Sequence, residues 1–133
     1  MREPIERIET EIADIWIDSE RIIHMNFKDS EYHGIDEAKS ITKAHNLLAD
    51  GTPCPVLANI QSVSVGADRY ARKHYVSEEG SSMKTAMAMV VKSPVQRMLG
   101  NIFVKINRPP YPTRLFSKKQ DAVVWLMEVT ART

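Results

Sequence analysis

Four histidines, one cysteine and one glycine-to-lysine run are the residues whose types could carry chemistry in this 133-residue chain. His24, His33, His45 and His74 would bind a metal or move protons if they stood at ligand spacing. No His-Glu-x-x-His or similar spacing occurs, and a single Cys cannot build a zinc cluster. No metal and no cofactor is expected. His45 falls on an apolar helical stripe, the place of a hydrogen-bonded core histidine. Gly80-Ser-Ser-Met-Lys84-Thr85 has the tail of a phosphate-binding loop, but the Gly-Lys pair and the spaced first glycine are absent. It also leads into an apolar run of strand type, where a phosphate loop would lead into a helix. Cys54 stands between two prolines with no base beside it, so an inert thiol is expected. No nucleophile–base pair of a hydrolase is visible either. The expectation is a protein that is not an enzyme.

Charge is the second source of chemistry. The net charge is +1, but residues 1–79 hold nine basic and fifteen acidic side chains. Residues 80–120 hold Lys84, Lys92, Arg97, Lys105, Arg108, Arg114, Lys118 and Lys119 and no acid at all. Such blocks can make a two-faced field that orients a charged partner. Lys105, Arg108, Tyr111, Arg114, Lys118 and Lys119 are the candidate surface for an acidic partner or anionic lipid head groups. Lys118 and Lys119 open a helix, where cations oppose the macrodipole and a nearby anion would relieve them. Nucleic acid is not expected: the pI is about 7.9 and no helix-turn-helix or aromatic RNA-binding motif is present.

These residues need elements to hold them. Residues 1–10 read as a charged lead-in to a single domain spanning residues 1–133. Ala13, Ile15 and Ile17, then Ile23, Met25 and Phe27, alternate with polar neighbours and predict a β-hairpin. Ala38, Ile41, His45 and Leu48 mark a helix that Asp36 can cap and Gly51 ends. Residues 55–60 and 85–91 are apolar runs of the kind that form strands covered on both faces. They are predicted to be the innermost strands of a sheet of four or five. Asp68 can cap a charged helix that runs to about Ser77. Ser93 and Pro94 start another, amphipathic through Val95, Met98, Leu99, Ile102, Phe103 and Ile106, with the Val95, Met98, Leu99 and Ile102 stripe predicted to be buried. Arg97 and Lys105 then face outward. After the prolines at 109, 110 and 112, a short strand at 113–116 leads to a last helix, with Ser117 and Gln120 as its capping box. The order β-β-α-β-α-β-α-β-α predicts an α/β fold with a mainly parallel sheet covered by helices.

Certain stretches resemble a known family. Val56-Leu-Ala-Asn-Ile60, followed by a loop and helix, and Arg114-Leu-Phe-Ser-Lys-Lys-Gln-Asp-Ala122-Val-Val-Trp125-Leu126 are similar to the SpoIIAA-like proteins. These are relatives of the STAS domain (sulphate transporter and anti-sigma factor antagonist). Arg69-Tyr-Ala-Arg-Lys73 and the run from Asn107 to Phe116 look like a small bacterial branch of that family. The resemblance implies a non-enzymatic regulatory or protein-interaction module. Classical members carry a phosphorylated Ser at the start of the helix after the third strand. Here the switch-loop Asp-Ser and Gly are missing, and Ser62, Ser64, Asp68 and Arg69 are the candidate partner-binding residues. The alternative is an apolar-ligand protein, for a lipid or fatty acid, with Met87, Met89, Met98, Leu99 and Phe103 lining a soft pocket. Candidate partners are thus another protein, an apolar ligand, an anionic lipid surface or a second copy of the chain. The lone Cys, the charged N-terminus and the lack of a membrane-length apolar run point to a cytoplasmic protein that can sit at the membrane periphery.

Overall fold

A computed structural model describes residues 7–132 of the chain. The charged lead-in is shorter than expected, because Arg7–Glu9 forms an outer strand, β1, against the next one. Residues 1–6 lie outside the described residues. β2 (Ala13–Ile17) and β3 (Ile23–Phe27) are the antiparallel pair that their alternation predicts. Their apolar sets share one face, and Asp14, Trp16, His24 and Asn26 share the other.

α1 (Ile35–Ala49) begins one residue before Asp36, so Asp36 sits in the first turn and is not the cap. The cap is Gly34, whose N–H donates to the Glu37 carboxylate at 3.0 Å. The helix ends through left-handed backbone at Asp50 and Gly51, with φ of 52° and 85°. β4 (Cys54–Asn59), α2 (Arg69–Val76) and β5 (Lys84–Val90) follow as predicted, with a short helix, α3 (Glu78–Ser81), before β5. α4 (Pro94–Ile102) runs into a π-helical turn at Phe103–Asn107, then β6 (Thr113–Phe116) and α5 (Lys119–Ala131) complete the chain. The N-cap of α5 is Lys118, so the Ser117–Gln120 capping box does not form. The Ser117 carbonyl instead accepts from the Gln61 side chain at 3.3 Å.

Among the described residues the sheet has six strands in sequence order, β1 to β6, where four or five were expected. β1, β2 and β3 pair antiparallel; β3 through β6 pair parallel. β4 lies at the centre beside β3, whereas β5, expected to be innermost too, lies one place from the edge; both have a neighbour on each side, as the uncharged runs after Cys54 and Lys84 require. The three parallel crossovers all step in one direction across the sheet. Crossovers of one hand that step one way must place their helices on one face. α1, α2 and the π-turn therefore pack on the face of Ile15, Met25, Val56 and Met87. α5 alone covers the other, through Ala122 and Leu126 against Leu57, Ala86, Ala88 and Val90. Trp125 is half-buried there, its ring 5.7 Å from Phe116. Three helices crowd one face, and the space between them is where a site can form.

Candidate functional site

A cavity of about 100 Å³ lies on the crowded face, where α2, the 60–67 loop and the α4–π-turn segment meet over the sheet. Its sheet side is Met25, Phe27, Ala58, Met87 and Met89. Leu99, Ile102 and Phe103 line it from α4 and the turn, and Ile60, Val63, Gly66 and Ala67 from the loop. Four of the five apolar-ligand candidates, Met87, Met89, Leu99 and Phe103, thus come together. Met98 does not: it is exposed on the outer side of α4, beside Val95.

The phase of α4 explains the difference. Its buried residues are Gln96 and Gly100, so Val95 and Met98 of the predicted stripe face solvent. Gln96 is drawn inward because its amide completes the loop's hydrogen bonding. Its Nε2 donates to the Gln61 and Val63 carbonyls at 2.9 Å each, and its Oε1 accepts from Lys92 N–H at 2.8 Å. Buried polar groups must be paired, and here that need outweighs the apolar stripe. Gly100 lets α4 approach β6, since a Cβ there would stand 2.8 Å from Leu115. The π-turn then breaks the 3.6-residue period and leaves Ile106 in solvent.

Among the described residues, Lys84 is the lining cation whose charged group makes no hydrogen bond. It is 6% exposed, its Nζ has no hydrogen-bond partner, and the Tyr75 ring lies 4.9 Å away. Burial pushes its pKa down to about 7. The side chain reaches the cavity because the β4–β5 register slips: Cys54 pairs with Lys84 but Pro55 with Ala86. One extra residue in β5 turns Lys84 to the same side as Met87, as bulges re-aim side chains. Strict alternation would have sent it toward α5. His33 and Tyr75 also line the cavity and share a hydrogen bond, Nε2 to hydroxyl, at 2.6 Å. Burial pushes His33 down to about 4 and raises Tyr75 well above its usual value. His45 Nε2 donates to the Met83 carbonyl at 2.9 Å, and burial holds this histidine near 4 as well. Arg72 donates to the Ala67 carbonyl at 2.7 Å and to Asn107 at 3.0 Å, tying α2 to the loop and the π-turn. Sequence reading missed Lys84, His33, Arg72 and Tyr75. Only a lone cation at the head of an apolar strand hinted at the first.

The loop candidates sit beside the cavity. Asp68 caps α2, accepting from Ala71 N–H at 2.9 Å, and this bond holds its carboxyl below the usual range. Ser64 donates through N–H and hydroxyl to Asp29 Oδ1, at 2.9 and 2.6 Å. Ser62 is exposed, and Arg69 lies over the Tyr70 ring at 4.9 Å. The six cationic-surface candidates do not form one patch. Lys105 and Arg108 lie with the π-turn, whereas Arg114 stacks on Phe116 and Lys119 on Trp16, on the α5 side. Lys118 is exposed at the α5 N-cap. Tyr111 is buried with its hydroxyl unpartnered, so it is not part of a surface. The chain crosses from one face of the sheet to the other through β6, and the basic segment divides with it. Among the described residues, no cluster of three or more His, Cys, Asp or Glu could hold a metal ion. No helix among them is long and apolar enough to cross a membrane.

The family model described as a domain of unknown function, DUF7793, matches residues 15–130. The chain belongs to DUF7793. The match runs from β2 to the end of α5 and so includes every residue of the cavity. This DUF7793 chain is similar in structure to a protein of the DUF3478 family with a SpoIIAA-like fold from Shewanella loihica PV-4. The TM-score is 0.62 at 14% identity, covering 90% of this chain and 98% of that one. The α/β fold is therefore SpoIIAA-like, as the resemblance implied. A protein with unknown function from Arthrobacter sp. FB24 aligns at 23% identity over 90% of this chain and 95% of that one, with a TM-score of 0.32. No curated protein matches.

Proposed function

We propose that this DUF7793 chain is a non-enzymatic regulatory module that holds an acidic segment of another protein on the outer face of α4. The observation that carries the reading is that face. Met98, Ile102 and Ile106 line a shallow groove with Arg97 and Lys105, and Val95 extends it one turn back. Val95 and Met98 are each 55% exposed and Ile106 is 70% exposed. Adjacent large apolar side chains left in water mark an interaction surface. Among the described residues no carboxylate lines the groove. An amphipathic segment with acidic flanks complements both the apolar strip and its cations. A second copy would set like charges against each other, which favours a different chain. The SpoIIAA-like fold supports a regulatory role by analogy. Gln96 ties α4 to the loop that carries Ser62 and Ser64, through the Gln61 and Val63 carbonyls.

Methyl-labelled methionine reads this surface directly. A synthetic amphipathic peptide of Leu and Glu heptads should shift the Met98 methyl signal and leave the buried Met25 signal in place. Met98→Glu with Ile106→Glu should abolish the response of the remaining α4 amides. Phosphatidylglycerol vesicles at the same salt are the comparison. Binding to vesicles but not peptide, self-association that shifts Met98 without peptide, or no response to the peptide would overturn the proposal.

A further inference from the structure

An ammonium group sealed in an apolar cavity with no acceptor lowers stability, so its place there asks for a ligand. We infer that the cavity beneath α4 binds a small apolar carboxylic acid, with the carboxylate on Lys84 Nζ and the apolar part among Met25, Met87 and Met89. Ile102 lies between this site and the outer groove, the other lining residues differ, and neither claim needs the other.

The size is right for a small molecule. At about 100 Å³ the cavity is on the scale of an engineered apolar cavity of roughly 150 Å³ that takes benzene. The polar groups on its wall other than Lys84 are engaged: His33 with Tyr75, and Arg72 with Ala67 and Asn107. Lys84 Nζ alone among them lacks a hydrogen-bond partner. Among the described residues no carboxylate lines the cavity, and a ligand that brings the anion complements it. A single unengaged cation suits a singly charged head. A neutral alcohol would leave the ammonium without a counter-charge. The bulge that aims Lys84 inward is specific to the start of β5. Closure over the ligand is also built in, because Leu99 lies on Gly66, where an added Cβ would come within 2.8 Å of it.

The experiment titrates the full chain, with methyl-labelled methionines, against sodium hexanoate and against hexanol. Hexanoate should shift Met25, Met87 and Met89 and leave the exposed Met98 and Met127 unmoved. It should bind at least about tenfold more tightly than hexanol, as a charge-assisted hydrogen bond provides. Lys84→Met should erase most of that preference while hexanol still binds. Equal affinity for hexanoate and hexanol in the unmodified protein would overturn the inference, whether or not the variant folds. So would millimolar hexanoate that shifts only Met98 and Met127, or nothing.

Discussion

Replacing Lys84 with methionine is expected to stabilise the folded protein by roughly 2–5 kcal/mol at pH 7, a large gain for one side chain. Burial lowers the Lys84 pKa from 10.5 to about 7. Between those values the unfolded chain carries a proton that the folded chain has released, so stability rises with pH across that window. The penalty is complete below about pH 7 and gone near 10.5. Methionine fills similar space without the charge. The gain should therefore be largest at pH 6 to 7 and shrink steadily on going to pH 10. The groups facing Lys84 do not blur this. His33 and His45, near 4, are neutral across this window; burial also lowers His74 from its usual 6.5 and raises Tyr75 well above its usual value. Urea unfolding of both proteins at four pH values checks the prediction. A gain that does not vary with pH, or a loss at pH 7, would count against a buried, uncompensated amine.

Gly80→Ala should have a comparably large effect in the opposite direction. A Cβ on Gly80 would stand 2.1 Å from the His74 carbonyl oxygen and 2.9 Å from Tyr75 Cα. Both contacts are backbone, so no side chain can swing away. α3 would have to move off α2, taking with it the Ser77 cap that accepts from Gly80 N–H. Overpacking of this kind costs roughly 3 kcal/mol or more. Tyr75 lies on α2, directly against the displaced turn, so the cavity wall should shift too. Thermal unfolding gives the stability, and the Met87 methyl signal reports the cavity. A loss under about 1 kcal/mol with an unmoved Met87 would show that α2 and α3 are not packed this closely.

What the sequence made legible was local. Alternation placed β2 and β3, unbroken apolar runs placed β4 and β5, and Asp68 and Ser93 announced their helices by capping chemistry. The cavity's apolar wall was half legible, since Met87, Met89, Leu99 and Phe103 could be listed as soft apolar residues. What stayed hidden depends on contacts distant in sequence. Gln96 turned inward for the Gln61 and Val63 carbonyls, 35 and 33 residues away, and that rotated the Val95–Met98 stripe out. The bulge opposite Cys54 re-aimed Lys84, and no single-strand pattern records a slip between two strands. The basic segment looked continuous from Lys105 to Lys119, yet β6 carries it from one side of the sheet to the other. Each failure falls where pairing or packing overrode periodicity, and two of the three lie at the candidate sites.

The titration of Lys84 itself, followed through its 13Cε signal with and without hexanoate, tests most directly whether the cavity holds an amine awaiting an anion. In the free protein its midpoint should lie near pH 7, and hexanoate should raise it, because the carboxylate stabilises the protonated form. A midpoint near 10.5 in the free protein, or one that hexanoate leaves unchanged, would contradict the account.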